Sequence, residues 1–152
     1  NNSFFSFSFL NSLFFVQNKW HQHGVFFHTI RVVYYTLKAG NLNFAAALLH
    51  DIGKPSTANK KDDEVINFDE YSFTDHEERS YQIIKDWVFI SQYTKDIVRN
   101  HYLIRDIKKS KTEDLPRYAR KQKIWDELSL EIKDDLARFL IYDDLGKGKK
   151  RR

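Results

Sequence analysis

The chain has 152 residues, enough to bury one core without covalent staples, and it reads as a single domain. Cysteine is absent, which excludes disulfides and thiolate ligation, leaves any metal to His, Asp or Glu, and fits a reducing, cytoplasmic setting. The net charge is +4, but Lys147, Lys149, Lys150, Arg151 and Arg152 hold five of the 25 basic residues, so the rest is near neutral and the excess reads as a solvated basic tail over 148–152.

From the N-terminus, Phe4 to Val16 is rich in Phe and Ser. It is shorter than the roughly 20 apolar residues of a membrane span and lacks the basic start and cleavage site of a signal peptide. We read residues 1–16 as a Phe-rich arm or helix packed on the core, with no membrane partner. Methionine is missing throughout, which reads as a fragment or processed product. Val25 to Ala39 is apolar almost all round, as a central buried helix would be, and Gly40 ends it. Asn43 is placed to cap a short helix running to His50. Pro55 to Tyr71 is polar and predicts an exposed loop with one short hairpin. Asp75 is expected to cap a helix from His76 to about Ile90, and Thr94 another to about Ile104. A basic stretch from Arg105 to Lys123 follows, then a last helix from about Leu128 to Leu145 that stops at Gly146. No strand alternation and no repeat is visible, so the fold class is all-α.

Polar residues fall on faces where they have no reason to be unless they share a partner. Leu128, Ile132, Leu136 and Phe139 form the apolar stripe of the last helix, and Asp143 continues it. His28 shares a face with Val25, Val32 and Tyr35, His76 with Ser80, Ile83 and Trp87, and His101 with Ile97 and Ile104. His50, followed by Asp51, sits where a small-residue helix meets a Gly-Pro turn. Burying a carboxylate without a partner costs several kcal/mol, roughly. One divalent cation would satisfy most of these groups together.

In this order the residues resemble the HD superfamily of metal-dependent phosphohydrolases, most closely the HD domains of bacterial tRNA nucleotidyltransferases (CCA-adding enzymes and the poly(A) polymerase family). The likeness rests on Gln17 to Thr29 with its His28-Thr29 end, on His50-Asp51-Ile52-Gly53-Lys54-Pro55, on Phe73-Thr74-Asp75-His76-Glu77, on Val98-Arg99-Asn100-His101-Tyr102, and on Asp143-Asp144-Leu145-Gly146-Lys147. It covers residues 17–147 and carries no nucleotidyltransferase domain. The first motif is one residue short, which leaves the roles of His21 and His23 open.

The resemblance implies a compact bundle of five to seven helices around a buried metal, with His28, His50, Asp51 and Asp143 as ligands. Such a nitrogen and oxygen set suits Mn, Ni, Co, Fe or Zn better than Mg. The ion would polarise a phosphoryl oxygen and acidify water for in-line attack on phosphorus. Asp51, Lys54, His76 and His101 are the expected catalytic residues. Arg31, Lys54, Arg105 and Lys109 are the expected substrate contacts, with Arg31 clamping phosphate or orienting Asp51. His76 and His101 resemble second-metal ligands, or else contact phosphate or protonate the leaving oxygen. Glu77 reads as a support for the site or as a surface glutamate. The substrate is expected to be a phosphate-containing small molecule or RNA: a nucleotide or an RNA end, 2′,3′-cyclic phosphates included. The alternatives are a signalling-nucleotide hydrolase, a non-catalytic RNA-binding module, or a piece of a larger RNA-processing protein.

Overall fold

The computed structural model of the chain describes residues 24–57 and 73–148. The N-terminal arm, His21 and His23, most of the polar loop and the tail beyond Gly148 lie outside the described residues. Within them the structure is entirely helical. In chain order come α1 (Val25–Lys38), α2 (Phe44–Leu49), the single turn α3 (Lys54–Thr57), α4 (His76–Ile84), α5 (Gln92–Asn100), α6 (Leu103–Glu113), α7 (Leu115–Glu127) and α8 (Leu130–Lys147).

α1 and α8 lie along one another, α2 packs on α1 and α5, α3 on α4, α4 on α5, and α5 reaches α8. Their shared interior is built from Val32, Ala46, Ala47, Leu49, Ile52, Ile84, Trp87, Ile97, Val98, Leu136 and Phe139. A fully buried aliphatic of this kind contributes roughly 1.5–3 kcal/mol, so this cluster dominates the stabilisation of the fold. Asp135 of α8 fastens two more elements, accepting hydrogen bonds from Asn43 Nδ2 (3.0 Å) and from the Tyr93 hydroxyl. Asn43 stands at the α2 N-cap position but ties the helix start to α8 instead of capping it.

Several expected boundaries move. α1 is amphipathic rather than buried all round: Phe27, Ile30, Tyr34 and Leu37 face outward, while Val25, His28, Val32 and Thr36 face in. α4 ends at Ile84, not near Ile90, because Trp87 turns into the core and the buried Lys95 donates to the Lys85 carbonyl (2.7 Å), closing the helix end. Ser91, not Thr94, caps α5, its Oγ accepting from the Thr94 N–H at 3.1 Å. The chain then breaks at His101 and Tyr102 instead of running on to Ile104. Asp75 precedes α4 with a left-handed φ of 57° and makes no side-chain cap; its carboxylate meets Arg117 at 3.3 Å.

The basic stretch forms the α6–α7 pair, joined through Asp114, whose side chain accepts from the Arg117 N–H. Two of its half-buried cations, Arg117 and Lys121, both reach the buried Asp106, at 2.8 and 3.3 Å. α8 continues through Gly146 to Lys147. A Cβ at Gly146 would sit 2.4 Å from Val32 Cγ2, so this glycine lets α8 press against α1 rather than ending the helix.

Candidate metal centre

Three of the four described histidines are oriented by the same local device. His50 and His101 stand at the C-caps of α2 and α5, where the last carbonyls have no helical partner. Their Nδ1 atoms lie 2.7 Å from Ala47 O and 2.6 Å from Val98 O. His76, at the start of α4, makes the same contact with Phe73 O at 2.8 Å. A carbonyl only accepts, so each Nδ1 carries the hydrogen, and each Nε2 is turned inward as the atom that could ligate a metal.

Those atoms converge. His28 Nε2 and His50 Nε2 lie 3.3 Å apart. Asp51 Oδ2 is 3.4 Å from the first and 3.2 Å from the second, and Asp143 Oδ1 is 3.0 and 3.5 Å from them. Ligand atoms about 2.1 Å from one ion sit roughly 3 Å from each other, so the spacing is that of a coordination shell. The other oxygen of Asp51 faces His76 Nε2 at 3.5 Å, and His76 Nε2 lies 3.1 Å from His101 Nε2. Two donor groups of metal-holding geometry result, His28–His50–Asp51 and Asp51–His76–His101, with Asp51 in both. All six side chains are buried.

The two groups differ in charge. Burial draws the His50 imidazole down, but the Asp51 and Asp143 carboxylates outweigh it and lift the pKa to about 9. His76 has no such surplus: burial, with the charges of Lys54 and His50, overcomes the pull of Asp51 and lowers it to about 4. His101 is likewise pushed well below the usual histidine value by burial and its histidine neighbours. Burial opposes ionisation of Asp51 and Asp143, yet His50, Lys54, His28 and Lys147 hold both well below the ordinary carboxylate range. Without a metal, a proton on His50 supplies the charge that the carboxylates demand.

The turn bearing His50 and Asp51 is pinned from below. Ser80 Oγ donates to His50 O (2.8 Å) and accepts from the Gly53 N–H (2.9 Å). Ser80 lies one helical turn after His76, which was the visible hint; its bridging of two backbones was not. Lys54 is buried with Nζ 2.7 Å from Asp51 Oδ2 and above the Phe73 ring. Glu77 is buried and burial raises its pKa, so it is not a surface glutamate.

The expected substrate contacts scatter. Arg31 does not meet Asp51: its Nε and Nη2 donate to the Gly146 and Leu145 carbonyls (3.3 and 3.1 Å), closing the end of α8. Arg105 pairs with Asp143 and Asp144. Lys109 is exposed on α6 near Glu113.

Asp143 Oδ1 is turned into the site, whereas the Asp144 side chain is half exposed. Asp143→Asn is therefore expected to weaken divalent-metal binding by more than about 100-fold, and Asp144→Asn by no more than about tenfold. Calorimetric titration of both variants checks this; the reverse order would place the helix face wrongly by one residue.

Compared with known proteins, residues 25–131 match the family model for the HD domain. The match stops short of Asp143, which the helical phase and the geometry attach to the site. No curated protein and no solved structure matches the chain.

Proposed function

The chain belongs to the HD domain family, and from that premise we propose that it is a metal-dependent phosphohydrolase acting on nucleotides or RNA ends, 2′,3′-cyclic phosphates included. The observation that carries this reading is the convergence of His28, His50, Asp51 and Asp143 at ligand spacing inside a buried site. HD domains are in general metal-dependent hydrolases, and this donor set suits Mn, Ni, Co, Fe or Zn better than Mg. Such an ion supplies Lewis acidity toward a phosphoryl oxygen and acidifies water.

The chain's own groups supply the rest. The two histidines and two carboxylates present four donor atoms. Lys54, paired with Asp51 and lying over the Phe73 ring, is the cation nearest the site and the proposed phosphate contact. His76 and His101 are neutral at pH 7, which makes them poor proton donors to a leaving oxygen and good ligands. That favours His76 and His101, with Asp51, as the residues that would hold a second ion over the proton-donor role. The choice of RNA ends draws on the motif likeness to the HD domains of tRNA nucleotidyltransferases, and exposed Lys108, Lys109 and Lys111 on α6 suit a polyanion.

The test is a screen of Mn²⁺-loaded protein against nucleotides, 2′,3′-cyclic nucleotides, guanosine tetraphosphate, cyclic dinucleotides and oligonucleotides with phosphorylated ends. Chelator-sensitive release of phosphate or opening of a cyclic phosphate is expected. Preference for the signalling nucleotides would move the substrate assignment. A metal-bound chain that hydrolyses none of them, yet retains RNA, would make it a binding module.

A further inference from the structure

The end of α8 gives Asp143 two different sides. Its Oδ1 faces His28 and His50, while its Oδ2 lies 3.2 Å from Arg105 Nη2 and 3.6 Å from Lys147 Nζ. Asp144, next along the helix, touches no histidine; its Oδ1 sits 2.6 Å from the same Arg105 nitrogen and 3.2 Å from Lys147 Nζ. Arg105 thus holds both carboxylates from α6, and Lys147 braces them from within α8. The two residues between have their own part: Gly146 allows the close pass against Val32 and His28, and the carbonyls of Leu145 and Gly146 receive Arg31.

We propose that Arg105, with Asp144 and Lys147, is the positioning group for Asp143, holding its outer oxygen so that the inner one is directed at the metal. The proposal rests on the metal reading of the site and assigns Arg105 to the ligand rather than to the substrate. A carboxylate free to rotate about its last bond would share its oxygens between the histidines and solvent. A single guanidinium nitrogen, Arg105 Nη2, hydrogen-bonded to both adjacent carboxylates, restricts that freedom. It also ties α6, which begins two residues after His101, to Asp143 of α8.

The sign of the effect separates positioning from plain electrostatics. Arg105 is a cation near a site for a cation, so by Coulomb's law alone its neutralisation would tighten metal binding. Positioning demands the opposite. In the full chain, Arg105→Gln is expected to weaken Mn²⁺ binding about 10–100-fold, the usual cost of losing a group that orients a ligand. Arg105→Lys should recover part of the loss, and Lys147→Gln should cost less than Arg105→Gln. Arg117→Gln, which breaks the ion pair between α7 and Asp106 of α6, serves as the structural control and should leave Mn²⁺ affinity unchanged.

Mn²⁺ titration of each variant, beside thermal unfolding of the metal-free form, reads all of this. Unchanged or tighter Mn²⁺ binding in a folded Arg105→Gln protein overturns the proposal, as does an equal loss in Arg117→Gln. Failure of the metal reading looks different, because the parent chain itself would then take up no Mn²⁺.

Discussion

Asp51→Ala is expected to abolish phosphoester hydrolysis and to lower divalent-metal affinity by more than about 100-fold, beyond the usual cost of losing a supporting residue. Among the described residues no other side chain belongs to both donor groups: its Oδ2 lies beside His28 and His50, and its Oδ1 beside His76. The metal-free variant should remain folded, yet it loses the anion that, with Asp143, keeps His50 protonated to about 9. Elemental analysis and a hydrolysis assay on the same preparation check the two losses together. Substantial turnover with metal retained would contradict the assignment.

Gly53→Ala is the second large effect. A Cβ there would stand 2.6 Å from both His76 O and Ser80 N, so the His-Asp turn approaches the backbone of α4 more closely than any side chain permits. Backbone atoms cannot rotate away as a side chain can, and the two segments must part. Overpacking of this kind costs about 1–3 kcal/mol, which for a chain of this length lowers the unfolding midpoint by roughly 3–10 °C. The same movement pulls Asp51 from His76, so metal affinity should fall in step with Tm. Thermal unfolding and Mn²⁺ titration measure the pair; a variant matching the parent in both would mean the turn has slack that the distances deny.

Much of this site was legible because helical phase is strict. Asp143 follows Leu136 and Phe139 on one stripe, and the structure places its Oδ1 among the histidines. His28, His76 and His101 were each marked as a polar group on an apolar face and His50 by its place beside Asp51 at the helix-ending turn, and all four are buried. The cations were less readable. Arg31, Arg105, Arg117 and Lys121 have long side chains whose ends can lie several ångströms from their own helix, and their partners are 115, 38, 11 and 15 residues away or nearby in sequence only by accident of the fold. Sequence position says little about where such a charge is neutralised. The boundaries that moved share a different cause. Trp87 to Ile90 is apolar enough to continue α4, but the core needed Trp87 from another direction, and tertiary packing outweighed local pattern.

Calorimetric titration of Mn²⁺ into the metal-free chain at pH 7, repeated in buffers of different ionisation enthalpy, tests the central claim most directly. A metal takes an imidazole only in its neutral form. His50 carries its proton up to about 9 and must release it, whereas Asp51 and Asp143 are already ionised. Binding with release of about one proton per chain is therefore expected, with an affinity that rises about tenfold per pH unit between roughly 7 and 9. Absence of binding, or binding with no proton released and no dependence on pH, would contradict it.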